Sequence, residues 1–165
     1  MTKESPGEVD DLALDRQVCF PLYAASNLLT RLYRPALARL GLTYPQYLVM
    51  LVLWEASPQS VGSLGARLHL DSGTLTPLLK RLETACFVTR QRDLADERRV
   101  RVELTPAGRT LRNDARDIPG NLSAGLALDA KDLDDLRNTV GHLVALLAAA
   151  GDGAEERPQP SKRTL

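Results

Sequence analysis

A chain of 165 residues with 44% apolar and 25% charged side chains is the size of one globular domain able to bury a core. It holds nothing near the roughly 18 consecutive apolar residues of a membrane span, and its opening, MTKESPGEVDD, is too acidic for a secretory signal, so a cytoplasmic protein without membrane contact is expected. Zero net charge excludes a molecule basic all over, and two cysteines 67 positions apart, Cys19 and Cys86, form neither a zinc spacing nor a disulfide framework, so no metal and no cofactor is expected.

Residues 1–11 and 151–165 are polar and lack an apolar period, and both read as flexible tails. A first helix is predicted from about Asp15 to Leu40. Val18, Leu22, Ala25, Leu29 and Leu32 recur there at four and three, as one buried stripe requires, while Pro21 and Pro35 should each bend it. Thr43, Pro45 and Gln46 spell a capping box that opens a nearly all-apolar core helix, YPQYLVMLVLWEA. Ser60 opens a short helix with Val61, Leu64 and Leu68 inward. Ser72 or Asp71 caps the next, with Leu75, Leu78, Leu79 and Leu82 inward. FVTRQR and VRVEL read as two strands joined by DLADERR in a hairpin. Thr105 and Pro106 start a long helix, and Asp129 starts a last one with Leu133, Leu136, Val140, Leu143 and Leu147 on a near-heptad stripe.

The fold expected is therefore mainly α with a small β-hairpin wing, a winged helix-turn-helix flanked by helices at both ends. Residues 12–42 form an N-terminal dimerisation helix with a redox site, 43–105 the DNA-binding domain, and 106–150 the C-terminal dimerisation helices.

A helix-turn-helix reads DNA by entering the major groove with the N-terminal end of its second helix. Here that end is SGTLTP, so Ser72, Thr74 and Thr76 are candidates to reach phosphates or base edges, with Lys80 and Arg81 further along to clamp the backbone. With no Asn or Gln on this helix to read adenine, DNA shape and the wing should share the specificity. The wing supplies Arg90, Arg92, Arg98, Arg99 and Arg101. Its tip projects Arg98 or Arg99 toward a narrow minor groove, where Asp96 can hold the Arg98 guanidinium. Charge supports one basic face: Lys80 to Arg112 holds nine Lys or Arg against five Asp or Glu, whereas Asn113 to Arg157 holds four against nine.

Cys19 falls in the first turn of the first helix, where the helix dipole favours an anion and Arg16 lies on the same face, a setting that keeps a thiol reactive. A second stripe runs beside the apolar one: Cys19, Tyr23, Ser26, Thr30 and Tyr33. Tyr33 lies 14 residues from Cys19, about 21 Å along the same helix. If two copies of the helix cross antiparallel about a two-fold axis near Ser26, each Cys19 meets the other chain's Tyr33. Cys86, at the expected end of the recognition helix, reads as structural.

DRQVCFPLYAAS, LTYPQYLVMLVLWE, LDSGTLTPLLKRLE and DERRVRVELTPAG carry a resemblance over about Leu12 to Ala150. The chain resembles MarR-family regulators, and within them the organic hydroperoxide sensors of the OhrR type. That resemblance implies a homodimeric repressor, not an enzyme, that leaves its operator DNA when Cys19 is oxidised by an organic hydroperoxide. The family's reactive cysteine maps onto Cys19, its thiol-bonding tyrosines onto Tyr23 and Tyr33, and its wing arginine onto Arg98 with Asp96 as support. No cysteine follows Cys86, which implies the one-cysteine type, whose sulfenic acid is finished by a low-molecular-weight thiol or a backbone nitrogen, with Cys86 left open as a substitute partner. Two alternatives stay open: the same scaffold controlled by a non-covalent phenolic ligand, and a thiol peroxidase that uses Cys19 catalytically.

Overall fold

The computed structural model describes residues 10–155 except 94, 95, 97 and 98, and for residues 121–124 and 152–155 the backbone only. The expected tails therefore lie outside the described residues over 1–9 and 156–165. The chain divides into two compact units, residues 1–122 and 123–165.

In the first unit a short 3₁₀ turn, Leu14–Arg16, precedes helix α1, Cys19–Ala38. The helix starts four residues later than Asp15 because local bonds hold the chain in another shape: Gln17 is extended and its side chain donates to the Asp11 carbonyl at 2.6 Å. The late start also corrects the expectation for Pro21, which falls in the first turn, where a backbone N–H has no helical partner to lose. Pro35 alone stands inside α1. Helix α2, Tyr44–Glu55, begins as predicted. The Thr43 N–H and hydroxyl both donate to Gln46 Oε1, at 2.8 and 3.0 Å, in a formed capping box.

Strand β1, Gln59–Ser60, leads into helix α3, Val61–Leu68, whose cap Ser60 accepts from the Ser63 N–H at 3.0 Å. A turn with His69 in the left-handed region leads to helix α4, Ser72–Thr84, capped by Asp71. Cys86 closes it in the left-handed region, at φ 61°. Strands β2, Val88–Arg92, and β3, Val100–Leu104, form the expected hairpin. β1 adds to it on the far side of β3, with Gln59 opposite Val102, giving an antiparallel sheet in the order β1-β3-β2. Two residues carry no period, so β1 was not foreseen.

The predicted long helix is two, α5, Pro106–Asp114, and α6, Ile118–Leu126. Pro119 has no N–H for the Ala115 carbonyl. A continuous helix would lose that bond, and the chain instead turns at 115–117 and leaves the proline in a first turn. Leu37, Met50, Leu53, Leu64, Leu75, Leu79, Leu82, Val102 and Ile118 are buried in one core joining α1 to α6. Trp54 Nε1 donates to the Gly108 carbonyl at 2.8 Å, fastening α2 to α5.

α1 departs most from expectation. It buries only Ala36 and Leu37; of the predicted buried stripe, Val18, Leu22 and Ala25 are exposed and Leu29 and Leu32 are half-buried. The stripe is apolar, yet the described residues of its own unit leave it largely exposed. The second unit holds helix α7, Ala130–Glu155, capped by Asp129, whose Oδ1 accepts from the Asp132 N–H at 2.8 Å. α7 runs on through residues 151–155, which the sequence reading placed in the tail. Its predicted stripe is likewise uncovered: Leu136, Val140 and Leu147 are exposed and Leu133 and Leu143 half-buried. No helix among the described residues is long and apolar enough to cross a membrane.

Candidate redox and DNA-reading sites

Cys19 is the first residue of α1, exposed and free, with Tyr23 one turn on and 68% exposed. Arg16, expected beside the thiol, lies in the 3₁₀ turn and reaches the Asp11 carboxylate at 3.7 Å. Its charge is thus shared with an acid in a weak surface pair.

Tyr33 packs into an aromatic cluster. Its ring centroid lies 5.2 Å from that of Tyr44 and 6.2 Å from that of Tyr47, and Tyr47 meets Trp54 edge-on at 6.2 Å. Burial raises the phenol of Tyr33 above its ordinary 10.0. Burial first, then the neighbouring Tyr33, does the same for Tyr44. Tyr47 is raised by burial and then by both neighbours. All three therefore stay protonated near neutrality as hydrogen-bond donors, the form that stabilises an anion such as a thiolate. The sequence reading found Tyr33 but not Tyr44 or Tyr47. Their signal is the motif LTYPQY, read in the sequence for its cap, its apolar run and the family resemblance but not for its tyrosines.

Within one chain Cys19 and Tyr33 do not meet, because 14 residues of straight helix part them. The chain brings Cys19 together with Tyr23, and Tyr33 together with Tyr44 and Tyr47, at opposite ends of α1.

At the start of α4, Asp71 Oδ1 accepts from the Thr74 N–H and Oδ2 from the Thr74 hydroxyl, both at 2.8 Å. These bonds, the backbone one first, hold the Asp71 carboxyl below its ordinary 3.8. The N–H of Thr74 is thereby taken by the protein's own carboxylate. This is the Asp71 cap expected from the sequence, and it takes one of the N–H groups at the end expected to meet DNA. Thr76 donates its hydroxyl to the Ser72 carbonyl at 2.7 Å, so its methyl and lone pairs remain to read a base edge. Ser72, Thr76, Lys80 and Arg81 are exposed, and neither Lys80 nor Arg81 forms an ion pair among the described residues.

Arg90 faces the recognition helix. Its Nε and Nη2 both donate to Glu83 Oε2, at 2.8 and 2.7 Å, and its backbone N–H donates to Oε1 at 3.1 Å. The side-chain bond to Arg90 leads in holding Glu83 below its ordinary 4.5. Of the five wing arginines, this one ties wing to helix. In the tip, Asp96 pairs with Arg99, at 3.3 Å between Nε and Oδ2 and 2.8 Å from the Arg99 N–H to the Asp96 carbonyl. Arg98, for which Asp96 was the expected support, lies outside the described residues. Ser72, Thr76, Arg90 and Arg99 line one groove between α4, the start of α3 and the foot of the wing. Among the described residues no cluster of His, Cys, Asp or Glu could hold a metal.

The family model of the SarA/Rot transcriptional regulators matches residues 31–115, about half of the chain. The chain is 45% identical over 138 residues to the organic hydroperoxide resistance transcriptional regulator of Bacillus subtilis (strain 168), across 84% of this chain and 92% of that one. Among solved structures, AbfR of Staphylococcus epidermidis is 38% identical and superposes with a TM-score of 0.63 over 80% of this chain and 94% of its own. Reduced AbfR bound to DNA matches at 38% identity and a TM-score of 0.63, over 79% of this chain and 93% of that one. A reading helix and a wing braced together, with relatives that are regulators and not enzymes, place the chain in one group: it belongs to the MarR-type family of winged-helix transcriptional regulators.

Proposed function

We propose that the protein is a repressor that binds operator DNA as a homodimer and is released when an organic hydroperoxide oxidises Cys19. The observation that carries this reading is the split arrangement on α1, with an exposed thiol at its first residue and a cluster of protonated phenols, Tyr33 and Tyr44 half-buried, at its other end. Two antiparallel copies of α1 crossing near Ser26 bring each thiol to the other chain's phenols. Tyr44 adjoins Tyr33 there and becomes a second donor, while Tyr23 stands one turn from the sulfur on its own helix.

The uncovered apolar stripes of α1 and α7 support a dimer, since contiguous apolar surface on a helix marks a partner. The 45% identity to a regulator named for organic hydroperoxide resistance supports the oxidant class.

In mechanism, the thiolate attacks the terminal peroxide oxygen and leaves a sulfenic acid on Cys19 and an alcohol derived from the hydroperoxide. A low-molecular-weight thiol condenses with that sulfenic acid to a mixed disulfide and water. The larger sulfur group cannot keep the phenol bonds of the thiolate, so the α1 pair shifts. Two recognition helices must sit about one DNA turn, roughly 34 Å, apart to engage both half-sites, and a small rotation at the helix pair spoils that spacing. On the DNA side, Ser72, Thr74, Thr76, Lys80 and Arg81 meet the major groove, and Arg98 and Arg99, braced by Asp96, the minor groove. DNA as the target places the protein in the cytoplasm.

Intact mass spectrometry of the reduced protein treated with cumene hydroperoxide, with and without a small thiol, run beside gel shifts on a duplex selected from a random pool, tests this. The expected result is one added oxygen or one added thiol at Cys19, in step with loss of the shifted band. Release by a phenolic acid with no mass change would replace this reading with the ligand-controlled one. Steady thiol-dependent peroxide turnover without DNA binding would replace it with the peroxidase.

A further inference from the structure

A second cleft lies at the C-terminal end of α1. Leu37, Ala38, Leu42 and Tyr44 give it an apolar floor, Arg31 and Arg34 its charged rim, and its volume is about 390 Å³. Neither arginine forms an ion pair among the described residues. From residue 17 to residue 54 the sequence holds Arg31, Arg34 and Arg39 and no Asp or Glu, so this end of α1 is basic and unneutralised by its own surroundings.

The opposite end has the complementary character. Asp10, Asp11 and Asp15 stand close together in the sequence, and Leu12, Leu14 and Val18 are 88%, 59% and 77% exposed apolar side chains. Asp15 forms no ion pair among the described residues.

We infer that the cleft is the seat for residues 12–18 of a second copy of this chain, with Leu14 and Val18 filling the apolar floor and Asp15 pairing with Arg34. This rests on the antiparallel pairing of α1 proposed above and adds what that pairing leaves open, namely how the exposed start of α1 is anchored. An axis at Ser26 that sets Cys19 opposite Tyr33 brings the segment that precedes α1 to the C-terminal end of the other copy's α1, where the cleft lies. Charge complementarity fixes the occupant, since an acidic apolar segment meets a basic apolar cleft. The seat positions the sulfur: an anchored 12–18 segment holds Cys19 at the phenols, and a frayed one leaves it in water.

Two measurements on the full-length chain test the seat. In a Cys19→Ser, Cys86→Ser background, Leu14→Cys combined with Ala38→Cys should give a covalent dimer under mild oxidation, because a disulfide needs Cα atoms within about 7 Å. The control pair Leu14→Cys with Thr110→Cys should not. By sedimentation, Arg34→Asp or Asp15→Arg alone should weaken the dimer about tenfold or more, and the two together should return it to within about threefold of wild type. No covalent dimer, with an unchanged dimer for Arg34→Asp, overturns the seat. If Cys19 oxidation still releases DNA in that protein, the redox reading survives the loss. Saturable, Arg34-dependent binding of decanoate with the dimer intact would make the cleft a small-ligand site and also overturn the proposal.

Discussion

At the scale of single residues, two positions show the backbone setting the terms. A Cβ on Gly108 would lie 2.0 Å from the Phe87 carbonyl oxygen, a backbone atom that cannot swing away, so Gly108→Ala must push α5 off the sheet. The expected loss is about 1–3 kcal/mol, read as a lower urea midpoint at unchanged slope. Cys86 presents the opposite case. It holds φ at 61°, where a side chain costs about 1–2 kcal/mol, and its thiol makes only a 3.9 Å contact with the Thr84 carbonyl. Cys86→Gly should therefore stabilise the fold by about 1 kcal/mol and leave peroxide-driven DNA release intact; loss of that release would give Cys86 a redox role. The sequence marked Cys86 as a helix end, because residue identities punctuate helices locally. It could not mark the contact of Gly108 with Phe87, which joins elements distant along the chain.

At the scale of elements, α2, α3, α4 and the hairpin were legible because each is announced by its own cap or alternation: Thr43 with Gln46, Ser60, Asp71, and VRVEL. The start of α1, the strand β1 and the break between α5 and α6 were not, since each is decided by competition with neighbouring structure. The phenol cluster was half legible, with Tyr33 found by its spacing from Cys19 and Tyr44 hidden behind its role in opening α2. The pairing of α4 with the wing gives a pH signature. Asp71 and Glu83 both titrate below their ordinary 3.8 and 4.5 in the folded chain. Their stabilisation is thus fully present above the ordinary carboxylate range and is lost as pH falls through the lowered values. A chain carrying Asp71→Asn and Glu83→Gln should be less stable than wild type at about pH 6, and the gap in urea midpoint should narrow as the pH is taken down through the lowered values. A gap that persists undiminished in acid would assign the effect to packing instead of charge.

At the scale of the whole molecule, the exposed apolar residues of α1 and α7 are what the proposed dimer would cover, and in that proposal function depends on what the second copy does to the spacing of the reading heads. Their DNA contacts divide into those that position and those that read. Lys80, exposed and without an ion pair among the described residues, is proposed to belong with the first group. Lys80→Ala should weaken binding to all duplexes alike and reduce the salt slope by about 1, whereas Thr76→Val should change the ranking of sequences.

The claim on which the account turns is that one sulfur, oxidised at the α1 pair, releases the DNA. Fluorescence anisotropy of a labelled, selected duplex with wild type and Cys19→Ser, titrated with cumene hydroperoxide, reads it directly. The account predicts comparable affinity before oxidant, release of the wild type, and retention by Cys19→Ser at every dose that frees the wild type. Release of both proteins at the same dose would contradict it.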